Sequence, residues 1–204
     1  MATVVAKLAE SERVPPMSGL WARGLLFAVL ALGGCAVDLW TKAAVFEARG
    51  LPGQRPPLWL WEGHVGIETA VNTGAVFGMG AGMGVFFALF SAIAGICVLT
   101  WLFYFGAARE WWLLIALGCV AGGILGNLYD RLGLWWEPGM PTEWRSAVRD
   151  WILWQINDRW KWPNFNIADS LLVSGAVMLV YRALFPVPEA TDQICGLEGS
   201  SQKP

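Results

Sequence analysis

The chain has 204 residues, of which 56% are hydrophobic and 15% charged, with a formal net charge of -2. A soluble domain carries more charge and less apolar surface than this, so a water-soluble globule is excluded at the outset. With so little net charge and no basic cluster, a nucleic-acid partner is set aside as well.

Residues 1–19 are polar and mixed, and read as an N-terminal tail. Four long apolar runs follow, at about 21–40, 85–105, 111–130 and 167–185, and residues 186–204 form a second tail. A hydrocarbon core about 30 Å thick needs roughly 20 helical residues, and each run is about that long. Unpaired backbone groups cannot lie in lipid, so each run is expected to be a membrane-spanning helix within one domain, 20–185. The fourteen tryptophans fit aromatic belts at the two membrane surfaces.

Between the first two runs, Leu58–Glu62 and Val65–Val71 alternate around Gly63-His64 and predict a short hairpin or small sheet. His64 sits in that hairpin as a surface side chain. The connection from Phe105 to Trp111 is short and holds Arg109 and Glu110. The third connection, 132–165, is long, and in it Trp144, Ala147, Val148 and Trp151 recur at helical spacing. That spacing predicts an amphipathic helix, either lying in the membrane interface or covering the protein itself.

Several motifs are absent or incomplete. With one histidine, neither a metal site nor a Ser-His triad has its parts, and no GxSxG or P-loop occurs. No metal is expected. The cysteines at 35, 97, 119 and 195 form no CxxC pair and read as buried, inert thiols. Leu32-Gly-Gly-Cys35 resembles a lipoprotein cleavage box, but the polar residues Asp38 and Lys42 continue in register, so the run reads as an uncleaved span.

Four crossings alternate in direction, which fixes the polar groups that can meet. Asp38 and Lys42 end the first span, and Asn72 precedes the second. Asn127, Asp130 and Arg131 end the third, while Asn166, Asp169 and Ser170 open the fourth. All of them therefore lie at one membrane face. Each of Asp130 and Asp169 has an asparagine three residues before it, placed on a helix to orient its own aspartate. Two facing carboxylates would share a proton, as in an aspartic peptidase. Alternatively, each is a helix-end residue, with Asp130 paired to Arg131; pattern alone does not separate the two. Gly118, Gly122 and Gly126 leave one face of the third span bare for a close neighbour.

Taken together, Asp38-Leu-Trp-Thr-Lys42, Asn72-Thr-Gly-Ala-Val-Phe-Gly78, Gly122–Arg131 and Phe165-Asn-Ile-Ala-Asp-Ser170 resemble the signature blocks of bacterial lipoprotein signal peptidases, in the family's order. The resemblance implies a membrane all-α fold, a four-transmembrane-helix bundle with a small extracytoplasmic sheet, to which the spacing above adds the interfacial helix; it implies no metal and no organic cofactor. It implies an aspartic endopeptidase that cleaves diacylglyceryl-modified prolipoproteins just before the lipidated cysteine. Asp130 and Asp169 match the catalytic pair, and Asn72, Asn127, Arg131, Asn166, Asp38 and Lys42 match site-lining or supporting positions. Asp150 and Asp158 are expected to be dispensable. The chain departs from the family at Val76, where alanine is usual, and in the length of its third connection.

The implied setting is the bacterial inner membrane, with the active site at the outer face and both termini cytoplasmic. The expected partners are prolipoprotein substrates and membrane lipid, and the expected state is a monomer. Charge counting leans the other way on orientation, with six Lys and Arg on the tail side and eight on the motif side. A small transporter or channel relaying protons through Asp130 and Asp169 is the competing class, and a non-catalytic scaffold is a third.

Overall fold

The computed structural model describes residues 17–74, 80, 82–157 and 159–185, so Val76, Asp158, Cys195 and most of both tails lie outside the described residues. Four long helices account for the apolar runs: α1 (Met17–Arg49), α2 (Gly84–Phe103), α3 (Trp111–Arg131) and α4 (Ile167–Leu184). All four are long and apolar enough to cross a membrane. Their outward faces are apolar, with Leu25, Val29 and Leu32 on α1, Phe90 and Ile93 on α2, and Val173 and Val177 on α4 all exposed. In water such a surface would drive aggregation, whereas lipid is its natural solvent.

Helix α1 is longer than expected. Its 33 residues reach about 50 Å at 1.5 Å per residue, well beyond a hydrocarbon core. Its last turns therefore project past the membrane on the motif side, where Phe46 meets the edge of the Trp135 ring.

Helix α3 sits at the centre and packs against α1, α2 and α4. Small residues permit this. A Cβ at Gly118 would fall 2.9 Å from Leu30, and one at Gly122 would fall 3.2 Å from the Ala31 carbonyl. The opposite side of α3 meets α4 as closely, since a Cβ at Gly123 would lie 2.5 Å from the Ala168 carbonyl oxygen. The bare glycine face thus serves helix α1, while Gly123, which does not belong to that stripe, serves α4.

The hairpin forms as predicted, with β1 (Leu58–Trp61) and β2 (Val65–Asn72) antiparallel. Gly63, at φ +72°, supplies the left-handed residue in its turn. The third connection differs from expectation. Residues Thr142–Trp144 make one 3-10 turn, and Val148–Asn157 is a strand, β3, paired antiparallel to β2. No amphipathic helix occurs over 144–151. Four residues are too few to tell a 3.6-residue repeat from alternation, and a run rich in Val, Ile and Trp completes the open edge of β2 instead. From Leu153 onward the alternation is plain: Leu153 and Gln155 are buried, Trp154 and Ile156 exposed. A short β4 (Trp160–Lys161) closes a sheet of order β1-β2-β3-β4.

The thiols also depart from expectation. Cys35 and Cys119 are half-buried and Cys97 faces outward, so none is enclosed in protein.

At the far end of the bundle, Arg23 donates to the carbonyls of Ala108 and Arg109 and lies 4.6 Å from the centre of the Trp111 ring. Arg182 pairs with Glu110 nearby. The charges there are occupied in holding helices together.

Candidate active site

The structure gathers the expected polar residues where α1, α3, α4 and strand β3 converge, and it pairs them in an unexpected way. Asp130 is fully buried, but neither Arg131 nor Asp169 hydrogen-bonds it. Its partners are Arg149 and Lys42. Arg149 donates its backbone N–H to Asp130 Oδ2 at 2.9 Å and its Nη2 to Oδ1 at 2.8 Å. Lys42 Nζ stands 3.3 Å from Oδ2.

Lys42 also pairs with Asp38 one turn back on α1, at 2.7 Å, and donates to Asn127 Oδ1 at 3.0 Å. Asp38 Oδ1 accepts from the backbone N–H of Ala168 at 2.9 Å, satisfying one of the open donors at the start of α4. The i,i+4 pair read from the sequence is therefore present, but its job is larger. It joins three helices around Gly126, where a Cβ would stand 2.5 Å from Asp38 Oδ2.

Asp169 belongs to a capping box. Asn166 caps α4 by accepting from the Asp169 N–H at 2.9 Å, and Asp169 Oδ2 accepts from the Asn166 N–H at 3.2 Å. Its other oxygen accepts from Asn127 Nδ2 at 2.8 Å. The Asn-x-x-Asp expectation thus fails for one pair and changes form in the other. Asn127 serves the aspartate of the neighbouring helix, not its own. Asn166 holds Asp169 reciprocally, its Oδ1 accepting from the Asp169 N–H and its own N–H donating to Asp169 Oδ2, and turns its Nδ2 elsewhere.

That Nδ2 leads to Asp150, a residue expected from sequence to be dispensable. Asn166 Nδ2 donates to Asp150 Oδ1 at 2.7 Å, and its backbone N–H bonds Asp169, so one residue touches both carboxylates. Asp150 lies on β3 opposite Ala70, beside an irregularity in β2 between Ile67 and Ala70. Such a bulge re-aims side chains, and here Glu68 and Thr69 join Asp150 in lining an open cavity of about 700 Å³. Burial pushes the Asp150 carboxyl well above the usual carboxylate range, and the nearby Asp169 charge adds to the rise. The Asn166 bond and Lys42 oppose it only in part.

Asn72 lines the same cavity and accepts from the Gly74 N–H at 3.0 Å, forming a tight turn at the end of β2. Arg131 hydrogen-bonds none of the acids. It donates to the Ser146 carbonyl at 3.0 Å and to the Gly74 carbonyl, and so ties together the segments after β2 and before β3. At the cavity's outer end Lys161 and Asn164 hold Glu68 at 2.6 and 3.0 Å. Burial raises the Glu68 carboxyl, and these bonds outweigh it, leaving it below the ordinary value. Among the described residues no three His, Cys, Asp or Glu side chains cluster as a metal site would.

Two acids are thus neutralised by two cations, and two are left facing each other across Asn166. Asp150 and Arg149 were the residues missed in sequence. Their signal was the run Val148-Arg-Asp-Trp-Ile152, legible only as a strand.

Known proteins resemble this chain over most of its length. The family model described as signal peptidase (SPase) II matches residues 30–185. The chain is 62% identical over 161 residues to a lipoprotein signal peptidase of Rhodopirellula baltica, covering 79% of this chain and 72% of that protein. It is 38% identical over 178 residues to a lipoprotein signal peptidase of Pseudomonas aeruginosa, covering 83% and 89%. Against one of Pseudomonas fluorescens, 39% identical, the match spans 65% of the relative's length. A solved structure described as a bacterial membrane enzyme superposes with a TM-score of 0.65 at 24% identity, over 78% of this chain and 87% of its own, which speaks for the fold.

Proposed function

This chain belongs to the signal peptidase II family, and from its site geometry we propose that its aspartic chemistry is carried by Asp150 with Asp169, not by Asp130 with Asp169. The protein removes signal peptides from diacylglyceryl-modified prolipoproteins, and the proton-relay and scaffold alternatives are not favoured.

The observation that carries the assignment is the sharing of Asn166 by Asp150 and Asp169, while Arg149 and Lys42 hold Asp130. Both oxygens of Asp130 are occupied by Arg149 and Lys42, which leaves it no free edge for water or a scissile carbonyl. Two acids without such a partner, Asp150 buried and Asp169 half-buried beside it, exchange one proton between them.

The roles divide by hydrogen bonding. Asp169 accepts from two N–H groups, which suits a bare carboxylate. Asp150 accepts one on Oδ1, leaving Oδ2 to carry a proton at the cavity wall. Asp169 takes a proton from water, and the hydroxide equivalent attacks the scissile carbonyl while the Asp150 proton polarises its oxygen. As the tetrahedral intermediate collapses, the proton held by Asp169 passes to the leaving nitrogen and the C–N bond breaks. The signal peptide leaves as a carboxylate, and the modified cysteine gains a free amine.

Every group in this arrangement comes from one chain, so a monomer suffices. The motif side is read as the outer face of the inner membrane, with the prolipoprotein reaching the site through lipid. Lys42, Arg131 and Arg149 are buried and bonded within the protein, which removes much of the opposing charge count. The test is incubation of the purified protein in lipid with a diacylglyceryl-modified prolipoprotein. Cleavage just before the modified cysteine is expected from the wild type, and none from Asp169→Asn. An intact substrate after wild-type incubation would overturn the proposal.

A further inference from the structure

The long third connection brings one side chain to the site for which the chemistry above has no use. Trp135 lies with its ring 5.4 Å from the Arg149 guanidinium carbon. It is fixed there from two sides: Nε1 donates to the Ala147 carbonyl at 2.9 Å, and the ring meets Phe46 of α1 edge-on at 6.0 Å.

We propose that Trp135 and Arg149 are positioning residues, which with Asp130 form a clamp that sets where β3 presents the Asp150 carboxyl to Asp169. The proposal rests on the assignment of Asp150 and Asp169 as the acid pair.

The clamp has three parts. Asp130, rigid at the end of α3, takes both the backbone N–H and the guanidinium of Arg149, so backbone and side chain are fixed together. Trp135 bonds the backbone two residues earlier, at Ala147, so the strand is tied on both sides of Val148. Asn166 Nδ2 meets the Arg149 carbonyl at 3.3 Å, and the next residue is Asp150. A buried ion pair is held strongly when water is kept off it, and the indole face does that while attracting the cation. Lysine could not replace Arg149, because the fork on Asp130 and the flat face under Trp135 both need a planar guanidinium.

The cavity wall includes Asp150 but neither Arg149 nor Trp135. The clamp therefore acts through Asp150, and its loss falls on turnover rather than on substrate capture.

The test uses the full-length protein in lipid with a diacylglyceryl-modified prolipoprotein. Trp135→Leu and Arg149→Met are each expected to lower kcat about tenfold or more, as misplacement of a reacting group does. KM should stay within about twofold, and the double variant should be within about twofold of Arg149→Met alone, because both break one clamp. Trp135→Phe, which keeps an aromatic face, should lose less than Trp135→Leu. Additive losses, a loss expressed in KM, or wild-type kcat in both single variants would overturn the clamp. Should Arg149→Met fail to fold, Arg149→Lys keeps the charge and is expected to show the same kcat loss; wild-type turnover there overturns it too. Wild type and Asp150→Asn run alongside. An inactive wild type sinks the peptidase reading and the clamp with it. An active wild type, an inactive Asp150→Asn and unaffected clamp variants sink the clamp alone.

Discussion

Asp130 and Asp150 are both buried carboxylates at the site, and their neighbours give them opposite characters. Asp130 meets Arg149 and Lys42, so replacing it with asparagine leaves two buried cations short of a partner. Asp130→Asn is expected to cost on the order of 3 kcal/mol, read as a lower midpoint in thermal unfolding. Asp150 has the reverse sign. Its carboxyl is held above its unfolded value, so between the two values the folded protein binds more protons and stability falls as pH rises. Across that interval the wild type should lose about 1.4 kcal/mol per pH unit. Asp150→Asn removes that penalty. Its unfolding midpoint at neutral pH should match or exceed the wild type's, with a flatter decline toward alkaline pH. The same elevation keeps Asp150 protonated past the ordinary carboxylate range, so the alkaline limb of the wild-type activity profile should lie above that range. Sequence made Asp130 more prominent than Asp150 for a physical reason. Asp130 sits in a helix-end motif beside a glycine stripe, whereas the environment that sets Asp150 apart arises from the pairing of β3 with β2.

Helices were legible because a membrane demands about twenty apolar residues in succession, and few other structures do. Strand β3 was not, because Trp144, Ala147, Val148 and Trp151 satisfy two periods over too short a window. The turn at Thr142–Trp144 absorbed the first of these residues, Ala147 precedes the strand, and the sheet took Val148 and Trp151. The glycines carry the element-scale prediction. Gly123→Ala would push a methyl group to 2.5 Å from the Ala168 carbonyl and 2.7 Å from Leu172, displacing the start of α4 and Asp169 with it. A stability loss of about 1–3 kcal/mol and a fall in cleavage rate are expected, from unfolding and turnover measured together. Gly33→Ala, with nothing within 4 Å of the added carbon, should change neither.

At the scale of the whole molecule, one end of the bundle holds helices together through Arg23, Glu110 and Arg182, and the other holds the acids, the cavity and the sheet. Alternating spans make this division readable in the sequence. Orientation is not, because charge counting treats a buried Lys42 or Arg149 like a solvated one. A reporter fused at Pro204 should read cytoplasmic, and a signal from the outer side would reverse the assigned faces. The central claim is that the carboxylates of Asp150 on β3 and Asp169 on α4 share the catalytic proton. The most direct measurement is cleavage of a diacylglyceryl-modified prolipoprotein by purified Asp150→Asn, with its thermal midpoint recorded on the same sample. The account predicts no cleavage at a midpoint no lower than the wild type's; cleavage at the wild-type rate would contradict it.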